Sequence, residues 1–216
     1  MRAKSRSRGG LKWLLIALLA VASGAIYEAW PYWTADPETE VASLIDLLQL
    51  KPGMTVAEVG AGEGKMTVIL ARRLGPESRV LSTELEGDKL DRVRKAVSGA
   101  KLENVKVIGA DALNTRLPEQ CCDAIFLRRV YHHFTEPALL NAGLFEALKP
   151  GGRIAVIDFT ARVWLPKPGG IPEDRSGHGL QPEIVIAELT AAGFDVERRI
   201  DDWPGRNYCV LARKPR

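Results

Sequence analysis

Apolar positions along the chain change period several times, and each change marks a predicted element. An uncharged apolar run covers residues 13–27, and past Pro31 and Pro37 a helical period takes over at 38–50, with Val41, Leu44, Ile45, Leu47 and Leu48 on one face. Short apolar strands then recur: Val56 to Val59, 79–84, 105–108, 123–127 and 153–159. The last is almost continuously apolar, as a strand buried on both faces of a parallel sheet must be. Helices are predicted at 65–74 and 86–98 between the first three strands. Pro182 opens a further helix over 183–192 that Gly193 stops, and strands at 194–200 and 207–213 flank the turn Asp202-Trp203-Pro204-Gly205. Strands alternating with helices predict an α/β fold. The loop from Pro166 to Leu180 is rich in proline and glycine, and a long irregular loop in a compact domain is expected to work as a lid on the acceptor side.

The run at 13–27 is preceded by Arg2, Lys4, Arg6, Arg8 and Lys12 without an acidic neighbour. At 15 residues it is shorter than the ~20 of a spanning helix, although Lys12 and the aromatics Trp13, Tyr27, Trp30, Tyr32 and Trp33 can extend its reach. A secretory signal has the same order, with Ala22-Ser23-Gly24 as a cleavage site. The expected organisation is a basic leader with a hydrophobic anchor or signal (1–30), a linker (31–40) and one domain (41–216). The chain is expected to associate with a membrane through this segment, single-pass or interfacial, or else to be exported after cleavage.

Composition narrows the function. Of 216 residues 46% are hydrophobic, enough for one large core, and the net charge is only +3, much of it in the leader. The body carries no strong nucleic-acid signal. Cys121 and Cys122 are adjacent and Cys209 stands alone, which is neither a disulfide framework nor a metal spacing, so no metal is expected. Oligomeric state is not legible.

The chemistry gathers at Glu58-Val59-Gly60-Ala61-Gly62-Glu63-Gly64, where the first strand turns into a helix. Alternate glycines let a backbone turn sharply and approach a ligand closely. A dinucleotide fingerprint needs a glycine where Lys65 stands, and a phosphate-binding P-loop needs glycine at Val59 and Ser or Thr at Met66. Both readings fail, which disfavours a nicotinamide oxidoreductase. Glu84, closing the second strand, can accept both hydroxyls of a ribose. Glu86 is its rival, read instead as a first-turn acid of the next helix.

The pattern E-x-G-x-G-x-G resembles motif I of the class I S-adenosylmethionine-dependent methyltransferases, and the resemblance extends from residue 44 to 213. It implies a Rossmann-like, doubly wound seven-stranded sheet, mostly parallel with an antiparallel C-terminal strand and helices on both faces. It also implies S-adenosyl-L-methionine as cofactor, with Glu58, Gly60, Ala61, Gly62 and Gly64 at its methionine part. Asp111 would then hydrogen-bond the adenine amino group and Ala112 offer a backbone contact.

Ligands of open α/β sheets bind at the carboxyl ends of the strands, where Arg128, His132 and His133 follow the fourth strand. Arg128 suits the cofactor or a substrate anion, or equally a nearby carboxylate. Imidazole suits a general base, so His132 and His133 are candidates, against the plainer reading that one packs inward and the other faces solvent. His178 in the lid is a third candidate, against a turn residue between two glycines. Methyl transfer itself needs mainly in-line positioning and exclusion of water. The His-His-Phe segment and lid look like small-molecule methyltransferases of the quinone, sterol and arsenite type, although the arsenite enzymes' cysteine set is absent. The expected acceptor is therefore small or lipid-like. The stretch 53–84 also looks like isoaspartyl-protein and transfer-RNA adenosine methyltransferases, so a protein or RNA acceptor, or a noncatalytic cofactor-binding module, stays as the alternative.

Overall fold

The computed structural model describes residues 36–216 apart from 163, 164, 167, 173, 174 and 176. The anchor or signal at 13–27 and the aromatic residues that follow lie outside the described residues. Within these, no helix is long and apolar enough to cross a membrane.

One seven-stranded sheet organises residues 36–216, with spatial order β3-β2-β1-β4-β5-β7-β6. Its strands are β1 (Thr55–Val59), β2 (Arg79–Leu85), β3 (Val105–Ala110), β4 (Cys122–Arg128), β5 (Leu148–Asp158), β6 (Asp195–Trp203) and β7 (Asn207–Arg213). Pairings from β3 through β5 are parallel, whereas β7 runs antiparallel to both neighbours. This is the mostly parallel sheet with an antiparallel C-terminal strand that the resemblance implies. The helices are α1 (Pro37–Leu48), α2 (Lys65–Leu74), α3 (Asp88–Gly99), α4 (Pro137–Ala147) and α5 (Pro182–Ala191).

Alternation along the central strands explains the layers. Ala124 and Phe126 of β4, with Ala155 and Ile157 of β5, join a core with Val41, Leu44 and Leu48 of α1 and Leu70 of α2. Ile125, Leu127, Ile154 and Val156 face the other way, onto Leu140 and Leu144 of α4 and Val185 and Leu189 of α5. Period-2 alternation with both faces apolar sandwiches the sheet between helices.

Four differences from the sequence expectations have physical causes. First, α1 spans Pro37–Leu48 and so starts one residue before the predicted helix at 38–50. Asp36 caps it, accepting the backbone N–H of Glu38 at 3.3 Å and of Thr39 at 3.1 Å, with Pro37 in the first turn. Second, Glu86 is not a first-turn acid: α3 starts at Asp88 after Gly87, and Glu86 instead accepts from Arg116 Nη1 at 2.7 Å. Third, β5 starts at Leu148 and takes in the predicted Gly151-Gly152 break, because a register shift opposite Cys122 and Ala124 absorbs those residues. Fourth, β6 runs on to Trp203, so the hairpin turns later than predicted. The buried Trp203 indole donates to Glu40 Oε1 of α1 at 3.0 Å.

Candidate functional site

The loop between β1 and α2 is fastened by its own backbone. Gly60 and Ala61 donate their N–H groups to Thr83 O of β2 at 2.9 and 3.0 Å. Gly60 has φ of +78°, and a Cβ added there would lie 2.6 Å from Val130 Cγ2. Only glycine meets both constraints. Gly62, at φ +62°, differs: a Cβ there would meet no protein atom within 4 Å. Its N–H donates to Glu84 Oε2 at 2.6 Å, and Glu84 Oε1 accepts from Leu85 N at 3.0 Å.

These groups border a cavity of about 570 Å³ at the carboxyl ends of β1, β2 and β4. Glu58, Gly60, Ala61, Gly62, Glu84, Asp111, Ala112 and Arg128 all line it. Gly64 does not, and caps α2 against α3 instead. Glu84 is buried, while Asp111 and Ala112 sit at the exposed end. Asp111 accepts from Leu113 N at 2.9 Å and lies 3.3 Å from Arg116 Nη2. The Leu113 N–H, aided by Arg116, holds its carboxyl below the usual range.

Glu58 is buried beneath the loop. Burial raises its carboxyl to about 7, opposed by a hydrogen bond from Thr67 Oγ1 and by the Arg128 charge. With the Thr67 proton committed to Glu58, Ser82 Oγ, 2.9 Å away, donates to Thr67 Oγ1. Arg128 resolves toward carboxylate pairing: its Nε lies 2.7 Å from Oε2 of the buried Glu40, while the side chain still borders the cavity. An S-adenosylmethionine molecule fits this chemistry. The cavity has carboxylates at intervals along its length, an open face at Gly62, and in its wall the buried Thr83 hydroxyl, which has no hydrogen-bond partner among the described residues.

The histidines divide. His132 is 3% exposed and does not line the cavity; its Nδ1 lies 2.8 Å from Asp158 Oδ1, so the inward-packing reading holds for it. His133 does line the cavity and is exposed at its rim. Partial desolvation, then the neighbouring His132, pushes its pKa down to about 4, an effect the open rim tempers. His178 lies outside the cavity lining, with Nδ1 3.0 Å from Pro166 O. All three rings nevertheless converge. His132 is 4.1 Å from His133 and 5.2 Å from His178 between ring centroids, and Phe159 is 4.9 Å from His132.

Two buried side chains escaped the sequence reading. Glu40 fell where the predicted helix at 38–50 overlaps the linker, and the partners that bury it, Arg128 and Trp203, are remote in sequence. Arg175, in the lid, is 2% exposed and ties the lid to the histidine turn, donating to Phe134 O at 2.5 Å and Tyr131 O at 3.3 Å, with Glu188 Oε2 at 3.2 Å. An arginine in a Pro/Gly-rich loop gives no local sign of burial.

A sequence profile described as a methyltransferase domain matches residues 50–186. Among curated proteins, the ubiquinone/menaquinone biosynthesis C-methyltransferase UbiE of Teredinibacter turnerae is 30% identical over 141 residues, 65% of this chain and 53% of that protein. The chain thus spans about half the length of the curated relatives it matches. Among solved structures, a SAM-dependent methyltransferase from Aquifex aeolicus superposes with TM-score 0.67 at 26% identity, covering 82% of this chain and 89% of that one. The pyocyanin biosynthetic protein PhzM gives TM-score 0.63 at 25% identity over 81% of this chain and 54% of that one.

Proposed function

The chain belongs to this methyltransferase family and is an S-adenosylmethionine-dependent methyltransferase, and from that premise we propose that its acceptor is a small or lipid-like ring compound of the quinol type. The observation carrying this reading is the His133 ring at the rim of the cavity, backed by the packed rings of His132, His178 and Phe159. An aromatic rim favours a ring-bearing guest over an extended peptide. The name of the UbiE relatives, quinone-biosynthesis C-methyltransferases, supports the same class.

We assign the cofactor contacts accordingly. Glu84 takes the ribose hydroxyls, Asp111 and Ala112 the adenine end, and the loop from Gly60 to Gly64 lies beneath the methionine part, with Glu58 buried below it. The bound cofactor supplies an already activated methyl group on a sulfonium. The chain's own residues then have to align the acceptor, exclude water and, for a protonated acceptor, remove its proton. The basic leader and the apolar run at 13–27 support membrane association of the N-terminus, which would bring a lipid-like acceptor close; cleavage as a signal is the competing outcome.

The test uses full-length protein with methyl-labelled S-adenosylmethionine and a cell extract separated into lipids, other small molecules, RNA and protein. Label entering lipids or small molecules is the expected result. Label entering only RNA or protein would move the acceptor to the alternative class.

A further inference from the structure

On a helix that covers a sheet, the side turned away from the core is expected to be polar. Helix α2 departs from this. Met66, Leu70 and Leu74 are buried toward the sheet, and the outer stripe at i, i+3, i+4 and i+7 reads Lys65, Val68, Ile69 and Arg72. The two cations are exposed and the two apolar side chains half-buried. Beside them, Ala96 and Gly99 of α3 and its cap Ala100 are too small to cover Val68 and Ile69. The result is a shallow groove of about 430 Å³ between α2 and α3, with an apolar floor.

The border of this groove is cationic. Helices α2 and α3 together carry seven basic side chains and two acidic ones. Arg92 stands one turn before Ala96, and Lys95 one turn before Gly99, both exposed. Lys65 lies 3.3 Å from Glu63, Arg73 pairs with Glu38 and Arg94 with Asp91. Arg72, Arg92 and Lys95 make no ion pair among the described residues. Unbalanced cations around an apolar floor complement a surface that offers anions above hydrocarbon, whereas a nucleic-acid backbone offers only the anions. Two placements point to the same occupant. Pro37, the first residue of α1, lines the groove, and residues 28–36 tether it to the apolar run at 13–27 with a reach of roughly 30 Å. Glu63 and Lys65 line both this groove and the cofactor cavity.

We propose that the α2–α3 groove docks on a bilayer surface that carries anionic lipid, with Arg72, Arg92 and Lys95 at the headgroups and Val68 and Ile69 at the acyl boundary. This rests on the membrane association read from residues 13–27 and adds a second contact, borne by the domain itself. The apolar run is shorter than a spanning helix, and two weak membrane contacts joined in one chain bind far more tightly than either alone. Docking through this groove sets the Glu63–Lys65 border of the cofactor cavity beside the layer in which a lipid-like acceptor is dissolved.

The test uses the full chain and phosphatidylcholine vesicles with or without phosphatidylglycerol. Co-sedimentation compares the wild type, the double variant Arg72→Glu with Lys95→Glu, and a control of identical net charge, Lys51→Glu with Lys106→Glu, whose exposed sites lie outside the groove. Melting curves check that each is folded. Phosphatidylglycerol is expected to strengthen wild-type binding, and the Arg72/Lys95 double variant to bind those vesicles about tenfold or more weakly, with the control within about threefold of wild type. Amide exchange of the wild type, which needs no variant, is expected to slow in 65–74 and 88–100 on the anionic vesicles. Equal losses in the two double variants, unchanged binding by the Arg72/Lys95 variant, or exchange slowed only outside these helices overturns the proposal and leaves membrane association through 13–27 standing. A wild type that binds neither vesicle sinks both. A wild type that is dimeric without vesicles, and monomeric in the Arg72/Lys95 variant, gives the groove to a second copy and also overturns the proposal.

Discussion

The β1–β2 side and the β4–β5 side of this molecule are held together by different means. Around β1 and β2 the backbone does most of the shaping: Gly60, Ala61 and Gly62 spend their N–H groups on Thr83 O and Glu84, and glycine geometry keeps the loop close to the cavity. Around β4, β5 and the lid, buried side chains do it, through the His132–Asp158 pair and the Arg175 contacts to Tyr131, Phe134 and Glu188. A backbone-built site is set by local spacing, whereas a side-chain-built site needs partners that meet only after folding.

The contrast breaks most sharply at Arg175. Replacing it with alanine removes a buried guanidinium and leaves two carbonyls and the Glu188 carboxylate without that donor, so a loss of about 3–5 kcal/mol is expected in denaturant unfolding. A loss below about 1 kcal/mol would mean that the lid is not fastened as described.

Glu58 probes the base of the backbone-built side. Its carboxyl is raised from 4.5 to about 7 in the folded protein, so the folded state holds more protons than the unfolded state between these values. Stability without cofactor is therefore expected to fall as pH rises from about 4.5 to 7 and then level off, by roughly 3 kcal/mol from this group. His133, lowered to about 4 from 6.5, works in the opposite sense below pH 6.5, so the contribution must be read as the difference between wild type and Glu58→Gln. Thermal melts of the two proteins from pH 4.5 to 8 should diverge in favour of the variant at the upper end. Parallel curves would contradict the burial of an ionisable Glu58.

Two glycines separate shape from ligand approach. Gly60→Ala forces a Cβ into Val130 at positive φ and is expected to cost about 2 kcal/mol or more of fold stability. Gly62→Ala carries only the φ penalty, about 1 kcal/mol, with its larger effect on cofactor affinity, because the added methyl meets no protein atom. Equal melting shifts with equal affinities would erase the distinction. At the small end stands Arg73→Ala, which removes an exposed pair with Glu38 of α1, 2.7 Å apart; a change within about 0.5 kcal/mol is expected in chemical denaturation.

The same contrast governs what could be read before folding. Helix α2, the E-x-G-x-G-x-G loop and Glu84 were legible because their signals lie within a few residues of one another, and the terminal hairpin was legible from two apolar runs around a turn. The roles of Glu40 and Arg175 were not, since the first looks like a first-turn helix acid and the second like a loop charge until Arg128, Trp203 and the Tyr131 turn arrive from elsewhere in the chain. His132 and His133 read as equivalent neighbours, and only the fold separates a buried ring held by Asp158 from an exposed ring at the cavity rim. Helix α4 was not assigned at all: its apolar residues face both the sheet and α5, which blurs the one-sided stripe that marks an amphipathic helix.

Whether the cavity beside Gly62 and Glu84 holds the cofactor is decided most directly by calorimetric titration of S-adenosylmethionine into wild-type protein and into Glu84→Gln. Saturable one-to-one binding by the wild type, weakened by about 1.5–3 kcal/mol in the variant through loss of charged hydrogen bonds, is the expected outcome. Wild-type binding left unchanged by Glu84→Gln, or no binding by a folded wild type, would contradict the site.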